Sequence, residues 1–185
     1  DCVEIARSQT RDGSHLLDVC VDYVGRDGVD DMRAIASRFA TASTLPLVLD
    51  STEPAVIEAG LECLGGRSVI NSVNYEDGDG PDSRFRRIMP LVVEHGAGVV
   101  ALTIDEEGQA RTAEWKVRVA DRLIRDLTGH WGMNVGDILV DTTGSVEFGA
   151  HVVLEAFRHG KDVLLMNAEI DGTIGPILQT YAARH

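Results

Sequence analysis

At 185 residues the chain is long enough for one domain with a sizeable core and short for two. Hydrophobic residues at 44% beside 25% charged make a globular composition, against a disordered chain, and no apolar run reaches the roughly 20 residues of a membrane-spanning helix. The formal charge of −13 argues against unaided binding to nucleic acid, because Arg84-Phe85-Arg86-Arg87 is too short to make a basic patch.

The chain opens at Asp1 without Met, in what reads as the middle of an amphipathic helix over residues 1–12, as an excised piece would. Asp12-Gly13 stops it, and the apolar run 15–22 predicts a strand. Residues 29–43 predict a second helix and Leu47-Val48-Leu49 a second strand running into Asp50-Ser51-Thr52. Pro54 suits the first turn of a third helix, where its missing N–H has no partner to lose. Strands at 68–72, 98–105 and 137–141 follow, separated by helices near 82–95 and at 112–128, the latter capped by Thr112. A helix at 145–159, a sixth strand at 162–167 and a helix at 174–184 complete the chain. Alternation at this period implies parallel strands joined by right-handed crossovers, so the fold class is α/β. Near-continuous apolar strands fit either an incomplete TIM-barrel-like array of βα repeats or an open doubly wound parallel sheet of six strands. Three cysteines without metal-ligand spacing read as reduced thiols packed as small hydrophobes. No zinc site is expected, and with no signal peptide the location expected is cytoplasmic.

Asp22, Asp50, Asn71, Asp105, Asp141 and Asn167 all fall at or just beyond the carboxyl end of a predicted strand. Any one of them fits a turn or a cap, but in parallel α/β proteins that edge faces the ligand crevice. Six in succession predict a polar site rich in acceptors and poor in cations, which suits a ring carrying N–H donors better than a phosphate. The stretch Tyr75-Glu76-Asp77-Gly78-Asp79-Gly80-Pro81 has three acids and no Lys, so it reads as a solvated loop rather than a phosphate cradle.

Four segments in order carry a resemblance: Leu16-Leu17-Asp18-Val19-Cys20-Val21-Asp22, Asp50 through Leu61, Val69-Ile70-Asn71-Ser72, and Asp105-Glu106-Glu107-Gly108-Gln109-Ala110. Over residues 1–141 they resemble the pterin-binding (folate) domain of cobalamin-dependent methionine synthases, relatives of dihydropteroate synthase. The resemblance implies a (β/α)8 barrel that binds methyltetrahydrofolate as substrate and passes its N5-methyl group to a cobalamin carried by a partner domain, with no cofactor held tightly by this chain. It makes Asp50 and Asn71 the pterin anchors and Asp141 the third, with Asp22 and Asp105 lining the same mouth. It also places the family's first strand before Asp1, so an open sheet edge and self-association through it are expected.

Beyond Asp141 the stretch 142–150, with Gly160-Lys161-Asp162-Val163-Leu164-Leu165-Met166-Asn167-Ala168-Glu169, resembles the NAD(P)-binding region of homoserine-dehydrogenase-like oxidoreductases. The Gly-rich dinucleotide fingerprint is absent from the sequence. The expectation is one α/β domain with a pterin-binding-like part over 1–141 and a Rossmann-like βα segment over 142–185, joined as a chimera. An NAD(P)-dependent oxidoreductase fragment, or a folded chimera without ligand, is the alternative reading.

Overall fold

The computed structural model describes residues 2–142, 146–160, 177, 178, 180 and 182. The chain divides into two compact units, Asp1–Asp141 and Thr142–His185, each taken by itself.

The first unit runs α1 (Cys2–Arg11), β1 (Leu17–Cys20), α2 (Gly28–Ala42), β2 (Leu47–Asp50), α3 (Pro54–Leu61), β3 (Val69–Val73), α4 (Arg84–His95), β4 (Gly98–Leu102), β5 (Ile104–Asp105), β6 (Gly108–Gln109), α5 (Ala113–Arg125) and β7 (Ile138–Asp141). A π turn at Asp126–His130 continues α5. Local chemistry sets the helix starts. Asp27 accepts from the N–H groups of Val29 and Asp30, Ser83 from that of Arg86, and Thr112 from that of Trp115. Pro54 occupies the first turn of α3, as its sequence position predicted.

Among the described residues β1, β2, β3, β4 and β7 form one parallel sheet in that order. Neighbouring strands are therefore also successive along the chain, and α1, α2, α3 and α4 pack each against the next. A doubly wound sheet needs a reversal of strand order that sends later helices to the opposite face. No reversal occurs, so that alternative is corrected: the unit is an arc of a βα barrel with five strands, not closed among the described residues.

Strand residues on the helix side make the core, with Leu17, Leu49, Ile70 and Val99 packed against Met32, Ile57, Ile88 and Met89. Each such side chain contributes about 1.5–3 kcal/mol on leaving water. Helix α3 lies close on β2 at Gly60, where an added Cβ would stand 2.9 Å from Leu49 and 3.1 Å from Met32. Only the smallest residue fits there.

Two expectations change, and a third lies outside the described residues. The single strand expected at 98–105 ends at Leu102, and Ile104–Asp105 leaves the sheet to pair antiparallel with Gly108–Gln109. Thr103 makes the break: its N–H and hydroxyl both donate to the Asp141 carbonyl, at 3.1 and 3.2 Å. The cysteines are not packed as small hydrophobes, for Cys2 and Cys20 are exposed and Cys63 half-buried. Cys20 stands on the inner face of β1, which among the described residues is an edge strand of the sheet. The strand expected at 162–167, with Asn167, and most of the helix expected at 174–184 lie outside the described residues.

Beside the free edge of β1 lies a cavity of about 200 Å³, lined among others by Ile5, Ala6, Leu17, Val19, Ile35 and Phe39. In the second unit α6 spans Val146–Arg158, and Glu155 pairs with Arg158 and His159 near its end. Among the described residues no helix is long and apolar enough to cross a membrane.

Candidate functional site

The parallel register aligns one row of residues across the inner face at the carboxyl edge: Cys20 opposite Asp50, Asp50 opposite Asn71, Asn71 opposite Val100, Val100 opposite Leu139. Partners in register point to the same side of a sheet. Asp50 and Asn71 thus stand side by side, one strand spacing or about 4.8 Å apart at Cα. Both are half-buried. Among the described residues neither side chain has a hydrogen-bond or ion-pair partner.

Asp141 lies on the same face, opposite Leu102 and one step beyond the row. Two strand spacings across and two residues along put its Cα about 12 Å from that of Asn71. Its backbone carbonyl is held by Thr103.

Asp22, just past β1, has its carboxylate engaged. The Ser51 hydroxyl donates to it at 2.8 and 3.0 Å and the Thr52 N–H at 3.1 Å. Ser51 is itself buried and accepts from the Glu53 N–H at 3.1 Å, so Asp22 ties the β1 loop to the start of α3. Its charge faces Asp50, whose carboxyl is held above the usual carboxylate range, first by burial and then by Asp22.

Sequence reasoning passed over Asp18, on the inner face of β1 one step below the row. Its carboxyl is pushed up to about 6, by burial first and by the charge of Asp50 second. Like Asp50 it has no hydrogen-bond donor or cation among the described residues. The signal was in the sequence: Asp18 interrupts the apolar run Leu16-Leu17-Asp18-Val19 two residues before Cys20, which puts it on the strand face that Cys20 shares with Asp50.

Asp105 belongs to a different arrangement. It is buried, accepts from the Trp115 indole N–H at 2.8 Å and the Glu107 N–H at 3.1 Å, and pairs with Arg118 at 3.6 Å. Through these contacts it fastens the β5–β6 hairpin to α5. Next to it Arg122 donates to both oxygens of Glu106 at 2.9 and 3.0 Å and to Asp79 at 3.1 Å, and sits 3.8 Å over the ring of Tyr75. Tyr75 is fully buried, packs its ring at a 43° tilt against Phe85 with centroids 4.8 Å apart, and donates its hydroxyl to Asp126 at 3.0 Å. Burial and the charge of Asp126 raise its phenol pKa. Neither Arg122 nor Tyr75 was identified from sequence, because their partners are 10 to 51 residues away along the chain and meet only in the fold. Among the described residues no group of His, Cys, Asp or Glu could hold a metal ion.

A parallel βα arc whose carboxyl edge carries unpartnered acid and amide groups defines a small-molecule-binding domain of the TIM-barrel type. Residues 1–163 match the family described as pterin binding enzyme, and the chain belongs to that family. It is 72% identical over 141 residues to the methionine synthase of Mycobacterium tuberculosis, covering 76% of this chain and 12% of that protein. With the Mycobacterium leprae methionine synthase it shares 69% over 140 residues, at the same coverage. The chain therefore spans about an eighth of the length of these relatives. In structure it is similar to dihydropteroate synthase of Yersinia pestis, with TM-score 0.62 and 12% identity over 98% of this chain and 73% of that one. The Xanthomonas albilineans dihydropteroate synthase in complex with 7,8-dihydropteroate gives TM-score 0.62 and 18% identity over 98% and 74%. At such identities these likenesses establish the fold. The family match continues past Asp141 to residue 163, and the nicotinamide-dinucleotide alternative for the C-terminal segment draws no support from these matches.

Proposed function

We propose that this chain binds the pterin ring of a reduced folate, methyltetrahydrofolate foremost, with Asp50 and Asn71 as anchors and Asp141 as the third. The observation that carries this is the pair of adjacent, half-buried side chains of Asp50 and Asn71, unpartnered among the described residues, beside an Asp22 whose carboxylate is engaged. A buried polar group without a partner costs about 1–3 kcal/mol, so a fold that keeps two is arranged for a ligand that satisfies them. A pterin presents an amino group and a ring N–H on one edge, which a carboxylate accepts together, while a carboxamide both donates and accepts at the neighbouring carbonyl and nitrogen. Asp22 shapes the mouth beside Asp50, and Asp105 holds the β5–β6 hairpin to α5 through Trp115.

In a whole enzyme of methionine-synthase type, the bound methyltetrahydrofolate would give its N5-methyl group to a cobalamin on a partner domain, by displacement at carbon. The contribution of this chain is to hold and orient the ring; no residue described is assigned to the cobalamin. The three free cysteines support a cytoplasmic setting. The edge of β1, unpaired among the described residues, supports self-association of the isolated chain, which light scattering would read as a species heavier than a monomer.

Calorimetric titration with methyltetrahydrofolate tests the reading. Micromolar binding is expected; no heat and no thermal shift at millimolar ligand would leave a folded chain without this ligand.

A further inference from the structure

Resting on the pterin reading, we propose that Tyr23 is the subsite for the aromatic tail of the ligand, so that the site selects folates, which carry an aminobenzoyl group, over tail-less pterins. In a bicyclic pterin the edge with the amino group and ring N–H lies opposite the carbon that bears the tail. A ring anchored by that edge on Asp50 and Asn71 sends its tail outward, toward the loops at the carboxyl edge of the sheet.

Among the described residues of those loops, few can meet an aromatic ring. The loop after β2, Ser51-Thr52-Glu53, has no aromatic. The loop after β3 has Tyr75, whose ring is fully buried between Phe85 and Arg122. The β5–β6 hairpin after β4 has none. The loop after β1 has Tyr23, 74% exposed, followed by Val24 at 97%.

This loop is near the anchors and firmly held. Cys20 is opposite Asp50, so Tyr23 follows Asp50's row by three residues, at most about 10 Å of extended chain. Asp22 immediately before it is bonded to Ser51 and Thr52, the two residues after Asp50. On the other side the Arg26 N–H donates to the Tyr23 carbonyl at 3.2 Å, and Gly25, at φ +84°, permits the turn. Arg26 is paired with Asp31, and Asp27 caps α2. A tethered loop that presents a tyrosine to water is a pre-organised stacking platform: little conformational entropy is lost when a ring lies on it, and the stack adds affinity without setting orientation at the anchors.

The test compares the affinity of tetrahydrofolate with that of tail-less 6-methyltetrahydropterin, by calorimetry, in the unsubstituted chain, Tyr23→Ala and Tyr23→Phe. We expect the tailed ligand to bind about 3- to 10-fold tighter in the unsubstituted chain, the advantage to fall near one in Tyr23→Ala and to persist in Tyr23→Phe. An advantage that survives Tyr23→Ala, or none in the unsubstituted chain, overturns the proposal. If the unsubstituted chain binds neither ligand, the pterin reading itself has failed and the tail subsite goes with it.

Discussion

The two sides of the mouth use the same residue types to opposite ends. On the β1–β3 side Asp18, Asp50 and Asn71 face the inner side of the sheet without a donor or cation among the described residues, and the carboxyls of Asp18 and Asp50 hold protons more tightly than usual. On the β3–β4 side Asp79, Asp105, Glu106 and Asp126 are each answered, by Arg122, Trp115 with Arg118, Arg122 again, and Tyr75. A carboxylate after a parallel strand is thus a binding group or a fastening according to what the next helix brings to it. The engaged side gives rigidity, and the unpartnered side is left for a ligand.

The strongest way to break this contrast is to truncate the anchors. Asp50→Ala and Asn71→Ala should each weaken methyltetrahydrofolate by about 10- to 100-fold while leaving Tm within about 2 °C, because each removes a ligand contact and no internal one. A fall in Tm with affinity intact would show the pair to be structural. Next in size, Asp105→Ala and Arg122→Ala should lower Tm by about 3–8 °C, since they strand the Trp115 indole N–H in one case and leave Glu106 beside Asp79 in the other. Stability unchanged in both would remove the distinction between the two sides.

A smaller effect sharpens the electrostatic half. The Asp18 carboxyl has a folded pKa of about 6 against an ordinary 3.8, so the folded chain binds a proton that the unfolded chain has released. Stability should therefore fall as pH rises from about 4 to about 6, and Asp18→Asn should flatten that slope. The same variant should raise Tm at pH 7 by about 1–3 °C, a modest figure because water partly screens the group. A slope that persists in Asp18→Asn would assign it to other acids. Least of all should change in Glu62→Gln, whose partner Arg33 is also half exposed at 2.9 Å: a Tm shift below about 1 °C in a thermal melt marks the scale of a surface pair against Asp105.

Much was legible from the residues alone. The alternation of strands and helices, the Thr112 cap and the Pro54 helix start depend on neighbours within a few residues, and local chemistry determines them. The appearance of an acid or amide at successive strand ends was equally local, and it pointed at Asp50 and Asn71. What only the tertiary structure decided was which of those groups is already in use. Strand order settled the barrel-type arc over the doubly wound sheet, since the faces taken by the helices follow from which strands pair, and both topologies share one pattern along the chain. Register placed Asp50 beside Asn71, and the approach of α5 brought the Trp115 indole N–H, ten residues on, to the carboxylate of Asp105. Asp22, Asp50 and Asp105 read alike in sequence because each follows a strand. They differ in the fold because a hydrogen bond is decided within about 3 Å, a distance that strand-end position does not encode.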